Sequence, residues 1–126
     1  MPGTSAVSDM SLRELARWAE GQAGRLAANF GLDMSADGDN AYFALAQTVK
    51  LGEEVGELHA EVLGALKYHR KDKAGRYGSD TLGGELADVM VCLALLAQIL
   101  DVDLAGAVSS KIEHLKARNR PAEVTA

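Results

Sequence analysis

The sequence predicts an all-α protein, a single four-helix-bundle-like domain over residues 1–126. Three observations lead there. Apolar residues recur at helical spacing in four separate segments, and no stretch alternates with the period of two expected of a half-buried strand. Helix caps or turn formers bound each segment. With 48% apolar and 25% charged residues, the chain reads as globular, and its length suffices for one core.

The first helix begins at Ser11, which with Glu14 makes a Ser-x-x-Glu capping box. Leu12, Leu15, Ala16, Ala19, Ala23, Leu26 and Ala27 follow at helical spacing until Asn29-Phe30-Gly31 stops the helix. Asp33 to Asn40 (DMSADGDN) is rich in turn formers and reads as a loop, with Asn40 as the cap of the second helix. That helix runs from about Ala41 to about His69, and the basic connection Lys71 to Asp80 (KDKAGRYGSD) comes next. The third helix extends from near Leu82 to near Leu100. Asp101-Val102-Asp103 is a turn with Asp103 as cap, and the fourth helix runs to about Asn119. Residues 1–10 and 120–126 are expected to be flexible ends.

Composition excludes several classes of function. A net charge of −5 argues against a nucleic-acid-binding surface. The N-terminus lacks the basic flank and apolar stretch of a signal peptide, and the longest apolar run, Val89 to Ala97, is too short to span a bilayer. Cys92 is the single cysteine, so no internal disulfide forms, and its place in an apolar run suits a small buried hydrophobe in a reducing compartment. A cytoplasmic protein with no membrane partner is the expectation.

The chemistry lies in two acidic pairs. In KLGEEVGEL (Lys50 to Leu58), helical geometry puts Leu51, Val55, Leu58, Val62 and Leu66 on one apolar stripe. Glu54, Glu57 and Glu61 border that stripe below Gln47, while Glu53 points further round. In GELADVMVCLALLA (Gly84 to Ala97), the expected apolar arc is Leu82, Leu86, Val89, Leu93, Leu96 and Leu100, with Glu85 and Asp88 at its edge. A solvated helix face is the ordinary reading of Glu54 or Glu57 alone. It fits Glu85 and Asp88 less well, because their helix has almost no polar face. Two i, i+3 pairs meeting across antiparallel helices would repel strongly, and a divalent cation relieves that repulsion. All-oxygen ligation suits Mg²⁺ or Mn²⁺. Zinc wants Cys and His ligands that this chain does not cluster. A di-iron site needs Glu-x-x-His, and Gly56, Leu66 and Lys111 stand three residues before the three histidines. On the fourth helix Leu104, Ala107, Val108, Ile112 and Leu115 define the expected buried stripe. Lys111 and Arg118 fall in its register, either snorkelling outward or facing an anion held at the acids. Trp18 borders the stripe of the first helix, where packing is the commoner role of an aromatic than stacking on a base.

Glu-Glu-x-x-Glu, a spacer of twenty-seven residues, then Glu-x-x-Asp, with Lys50-Leu51 leading and Lys111 trailing, resembles the MazG-like nucleoside triphosphate pyrophosphohydrolases, part of the all-α NTP pyrophosphatase group. The resemblance covers roughly Leu45 to Arg118. It implies a helical homo-oligomer, dimer or tetramer, that binds Mg²⁺ (or Mn²⁺) and cleaves the α–β bond of an NTP or dNTP. It implies Glu54, Glu57, Glu85 and Asp88 as metal ligands, Glu53 as activator of the attacking water and Lys111 as a phosphate contact. Arg118 shares the tail with Asn119 and Arg120 as rivals, and Trp18, Gln47 and Tyr77 are candidates for the base. A phosphoribosyl-ATP pyrophosphohydrolase has a similar acidic scaffold, and a non-catalytic helical interaction module is the alternative from another class.

Overall fold

The computed structural model describes residues 8–35, 37–66 and 79–121. Every regular element among them is a helix: α1 (Leu12–Asn29), α2 (Asn40–Ala65), α3 (Ser79–Ile99) and α4 (Leu104–Arg118). The connection expected at Lys71 to Asp80 falls mostly outside the described residues, as do His69, Tyr77 and the outer parts of both expected ends.

Local chemistry explains most of the boundaries. Ser11 and Glu14 form the capping box, each accepting the other's backbone N–H at 3.0 Å. α1 stops because Gly31 takes φ 64°, which lets Leu32 N–H donate back to the Ala27 carbonyl at 2.8 Å. Leu32 then packs onto the core. α3 stops in the same way through Asp101 at φ 57°, with Val102 N–H donating to Ala97 O at 2.8 Å; aspartate is among the few side chains that tolerate this conformation. Asp103 caps α4 by accepting from Gly106 N–H at 3.1 Å, and it also accepts from the Arg13 guanidinium at 2.8 Å. The Gly106 bond first, and then Arg13, hold its carboxyl below the usual aspartate value.

Three boundaries differ from expectation. Asn40 is the first residue of α2, not its cap; Asp39 takes the cap position, but its carboxylate is turned across the loop to accept from Asp33 N–H at 2.8 Å. α2 ends at Ala65, short of His69, where Gly64 weakens the last turn and that turn itself carries no basic residue to offset the helix dipole. α3 already includes Ser79, where the described residues resume, ahead of Leu82.

α3 lies between α2 and α1, and α4 packs on α1. Ala19, Ala23 and Ala27 of α1 meet Phe43 and Ala44 of α2 and Ala94, Leu95 and Ile99 of α3 in the core. Cys92 is buried, as a small hydrophobe would be. The apolar arcs are turned from those expected. On α3 the buried set is Cys92, Ala94, Leu95, Ala97 and Ile99, while Leu86 and Leu100 are half exposed. A helix that is apolar on nearly every side gives periodicity no face to choose. On α2 the buried line is Phe43, Gln47 and Glu54, so Glu54 stands in the helix contact and not at its border. On α4 Ala105 is buried while Ala107 and Ile112 are exposed. Thr81–Ile99 of α3 is long and apolar enough to cross a membrane by length and composition, in contrast to the shorter run counted from the sequence.

Candidate metal centre

α2 and α3 run antiparallel, since Gln47 meets Cys92 and Glu54 meets Glu85 and Asp88. Where the helices face each other, Glu54, Glu85 and Asp88 each offer a carboxylate oxygen within 4.8 Å of the others, a group that could hold a metal ion. Glu54 is 8% exposed. Its Oε1 lies 3.2 Å from the Lys50 ammonium, while its Oε2 is buried without a hydrogen-bond partner. One oxygen each of Glu85 and Glu61 is orphaned in the same way. A buried acceptor without a donor costs free energy, and a cation held by Glu54, Glu85 and Asp88 would relieve that cost at two of these three residues.

The electrostatics agree. Removal from water pushes the Glu85 carboxyl above the usual glutamate value, and the negative charges of Glu57, Asp88, Glu54 and Glu61 push it further. Burial, then Glu54, push the Cys92 thiol up. The hydrogen bond and charge of Glu54, with a smaller contribution from Glu53, hold the Lys50 ammonium above the usual lysine value.

A cavity of about 760 Å³ opens beside the acids. Its polar end carries Gln47, Lys50, Glu54 and Asp88; its other end is formed by Leu26, Phe30, Leu32, Tyr42, Phe43 and Leu95. Gln47 is buried and donates from Nε2 to the Cys92 carbonyl at a long 3.4 Å. Phe30 and Tyr42 are 71% and 67% exposed, which leaves two ring faces at the mouth.

The residues singled out from the sequence therefore separate. Glu54, Glu85 and Asp88 come together; Glu57 is exposed and acts on Glu85 through its charge; Glu53 is exposed and its charge acts on Lys50, not on Glu85. Gln47 lines the cavity. Lys111 and Arg118 are exposed on α4 and Trp18 is exposed on α1, and none of the three lines the cavity. Sequence reasoning missed Phe30 and Tyr42, whose signal was two aromatics flanking the α1–α2 loop. It also missed Lys50 as a neighbour of the acids, although Lys50 and Glu54 stand four apart, one helical turn.

A scan against protein-family models gives no match, and neither do searches of curated proteins and of solved structures.

Proposed function

We propose that the protein is a divalent-cation-dependent nucleoside triphosphate pyrophosphohydrolase, opening the α–β anhydride bond to give a monophosphate and pyrophosphate. The observation that carries this reading is the convergence of Glu54, Glu85 and Asp88 at one end of a cavity whose other end is aromatic. The orphaned oxygens of Glu54 and Glu85 and the all-oxygen donor set fit Mg²⁺ or Mn²⁺. A cation bound there supplies charge neutralisation to the triphosphate and lowers the pKa of a bound water.

Glu54, Glu85 and Asp88 would hold the cation, with Glu57 adding negative charge to the site. Glu53, next to Glu54 and open to solvent, accepts at its carboxylate the proton released by the attacking water. Phe30 and Tyr42 offer the base their exposed rings, the part for which Trp18, Gln47 and Tyr77 were the candidates. Phosphate contacts by Lys111 and Arg118 rest on the resemblance alone. The proposal extends to a homo-oligomer, because Leu86 and Met90 of α3 and Leu45 and Val49 of α2 leave wide apolar surface in the single chain.

The test is a panel of NTPs and dNTPs, with phosphoribosyl-ATP included, in Mg²⁺ or Mn²⁺, scored for pyrophosphate against orthophosphate. Pyrophosphate with monophosphate is the expected product. Orthophosphate alone, or no turnover of any nucleotide, refutes the reading.

A further inference from the structure

Lys50 is tied to the acids by a bond suited to breaking. Its side chain is 54% exposed, whereas that of Glu54, 3.2 Å away, is 10% exposed. Lysine four residues ahead of glutamate is also the weaker orientation of such a pair on a helix. The lysine stem is flexible, and its three donors can serve any oxygen within reach. Lys50 already lies on the cavity wall between Glu54 and the aromatic end, and no other cationic side chain among the described residues lines that cavity.

We propose that Lys50 is the resident counter-charge of the acidic centre and couples the binding of cation and anion. In the metal-free protein its ammonium neutralises Glu54. With a divalent cation held by Glu54, Glu85 and Asp88, the Lys50 ammonium would lose its carboxylate partner and be free to donate to a phosphate oxygen of a ligand in the adjoining cavity. One lysine thus opposes the metal when the cavity is empty and supports the anion once the metal is in place. The inference rests on the metal-centre reading above and adds to it a single side chain through which metal and phosphate binding become linked.

The experiment compares the full-length wild type with Lys50→Met and Lys50→Arg, after circular dichroism has verified equal helix content. Mn²⁺ binding is measured alone, by the paramagnetic resonance signal of the free ion. Tripolyphosphate binding is measured by calorimetry at saturating Mg²⁺. Lys50→Met is expected to bind Mn²⁺ at least threefold more tightly, since the competitor is gone, and tripolyphosphate at least fivefold more weakly. Lys50→Arg keeps the charge and should stay within twofold of wild type in both. Unchanged or weaker Mn²⁺ affinity in Lys50→Met overturns the counter-charge role, and unchanged tripolyphosphate affinity overturns the hand-over to phosphate. A wild type that binds no Mn²⁺ overturns the metal centre itself, and the coupling with it.

Discussion

Glu54→Gln tests the proposed metal centre at the most deeply buried of its carboxylates. The substitution keeps shape and volume but removes the charge from a side chain that is nine-tenths buried, with one oxygen on Lys50 and the other unpartnered. A cation present at a hundred times its dissociation constant stabilises the folded protein by about 2.7 kcal/mol. For 126 residues the entropy of unfolding is about 0.26 kcal/mol/K, so the wild type should melt about 10 °C higher in saturating Mg²⁺ than in chelator. Losing one of three charged ligands should reduce that rise in Glu54→Gln to about 2 °C or less at the same Mg²⁺. Pyrophosphate release should be abolished while the helical circular dichroism is retained. In chelator the variant should melt within about 2 °C of the wild type or above it, because the substitution removes a buried charge and the partner left behind, Lys50, is half exposed and can turn to water. Differential scanning calorimetry with and without Mg²⁺ reads all of this. A Glu54→Gln protein that keeps the full rise, or that turns over normally, would refute the assignment of Glu54 as a ligand.

Three further outcomes follow from particular contacts. Ser11→Ala removes one half of the capping box and should cost about 1 kcal/mol, a fall of about 4 °C in Tm with activity unchanged; no shift would mean that α1 is held by packing alone. Phe30→Ala or Tyr42→Ala should each raise KM about fivefold, the equivalent of about 1 kcal/mol of base stacking, and leave Tm nearly unaltered because both rings are exposed; an unchanged KM would remove the base from that end of the cavity. The Glu85 carboxyl is raised in the folded protein, so the stability it contributes is present at pH below its unfolded value of about 4.3 and is lost as pH rises through the folded value. In chelator Glu85→Gln should therefore melt above wild type at pH 7, with the gap closing towards pH 4, and Mg²⁺ should reverse the order at pH 7; a pH-independent gap would show that Glu85 is not strained by its neighbours.

The readable parts of the sequence were those fixed by contacts within a few residues. Ser11 with Glu14, Gly31, and Asp103 with Gly106 are such cases, and the structure has each in its expected role. Asn40 misled because the cap depends on Asp39, whose carboxylate is engaged six residues back at Asp33. Which side of α3 is buried was not legible, since Leu86, Met90 and Leu93 are as apolar as Leu95 and Ile99, and only the neighbouring helices decide between them. For the site, the acids of each helix were legible as i, i+3 pairs, and three of the four meet. Lys111 and Arg118 were assigned by register on α4, but register assumes that the stripe is covered, and Ile112 in that stripe is 45% exposed. The cavity needed four parts of the chain at once, α1, the segment after it, α2 and α3, which no single-helix pattern contains.

The position of Glu54 separates stability from use. Along α2 it continues the line of Phe43 and Gln47, seven residues beyond Gln47, and it packs towards α3, a helix that is apolar at every position from Val89 to Ala97. A leucine or methionine at that place would bury apolar surface against that helix at no cost in desolvated charge, and replacing buried charges by hydrophobic residues is often stabilising. The chain instead sets a carboxylate there, leaves one of its oxygens without a donor, and faces it with two more acids from α3. Lys50 relieves part of the charge on Glu54, while Glu85 remains under the field of four acids. Packing alone gives no reason for such an arrangement, since each of its elements destabilises the metal-free fold. A cation taken from solution would relieve these penalties together. That is why the helix contact between α2 and α3, more than any loop or surface patch of this protein, is where its chemistry is to be sought.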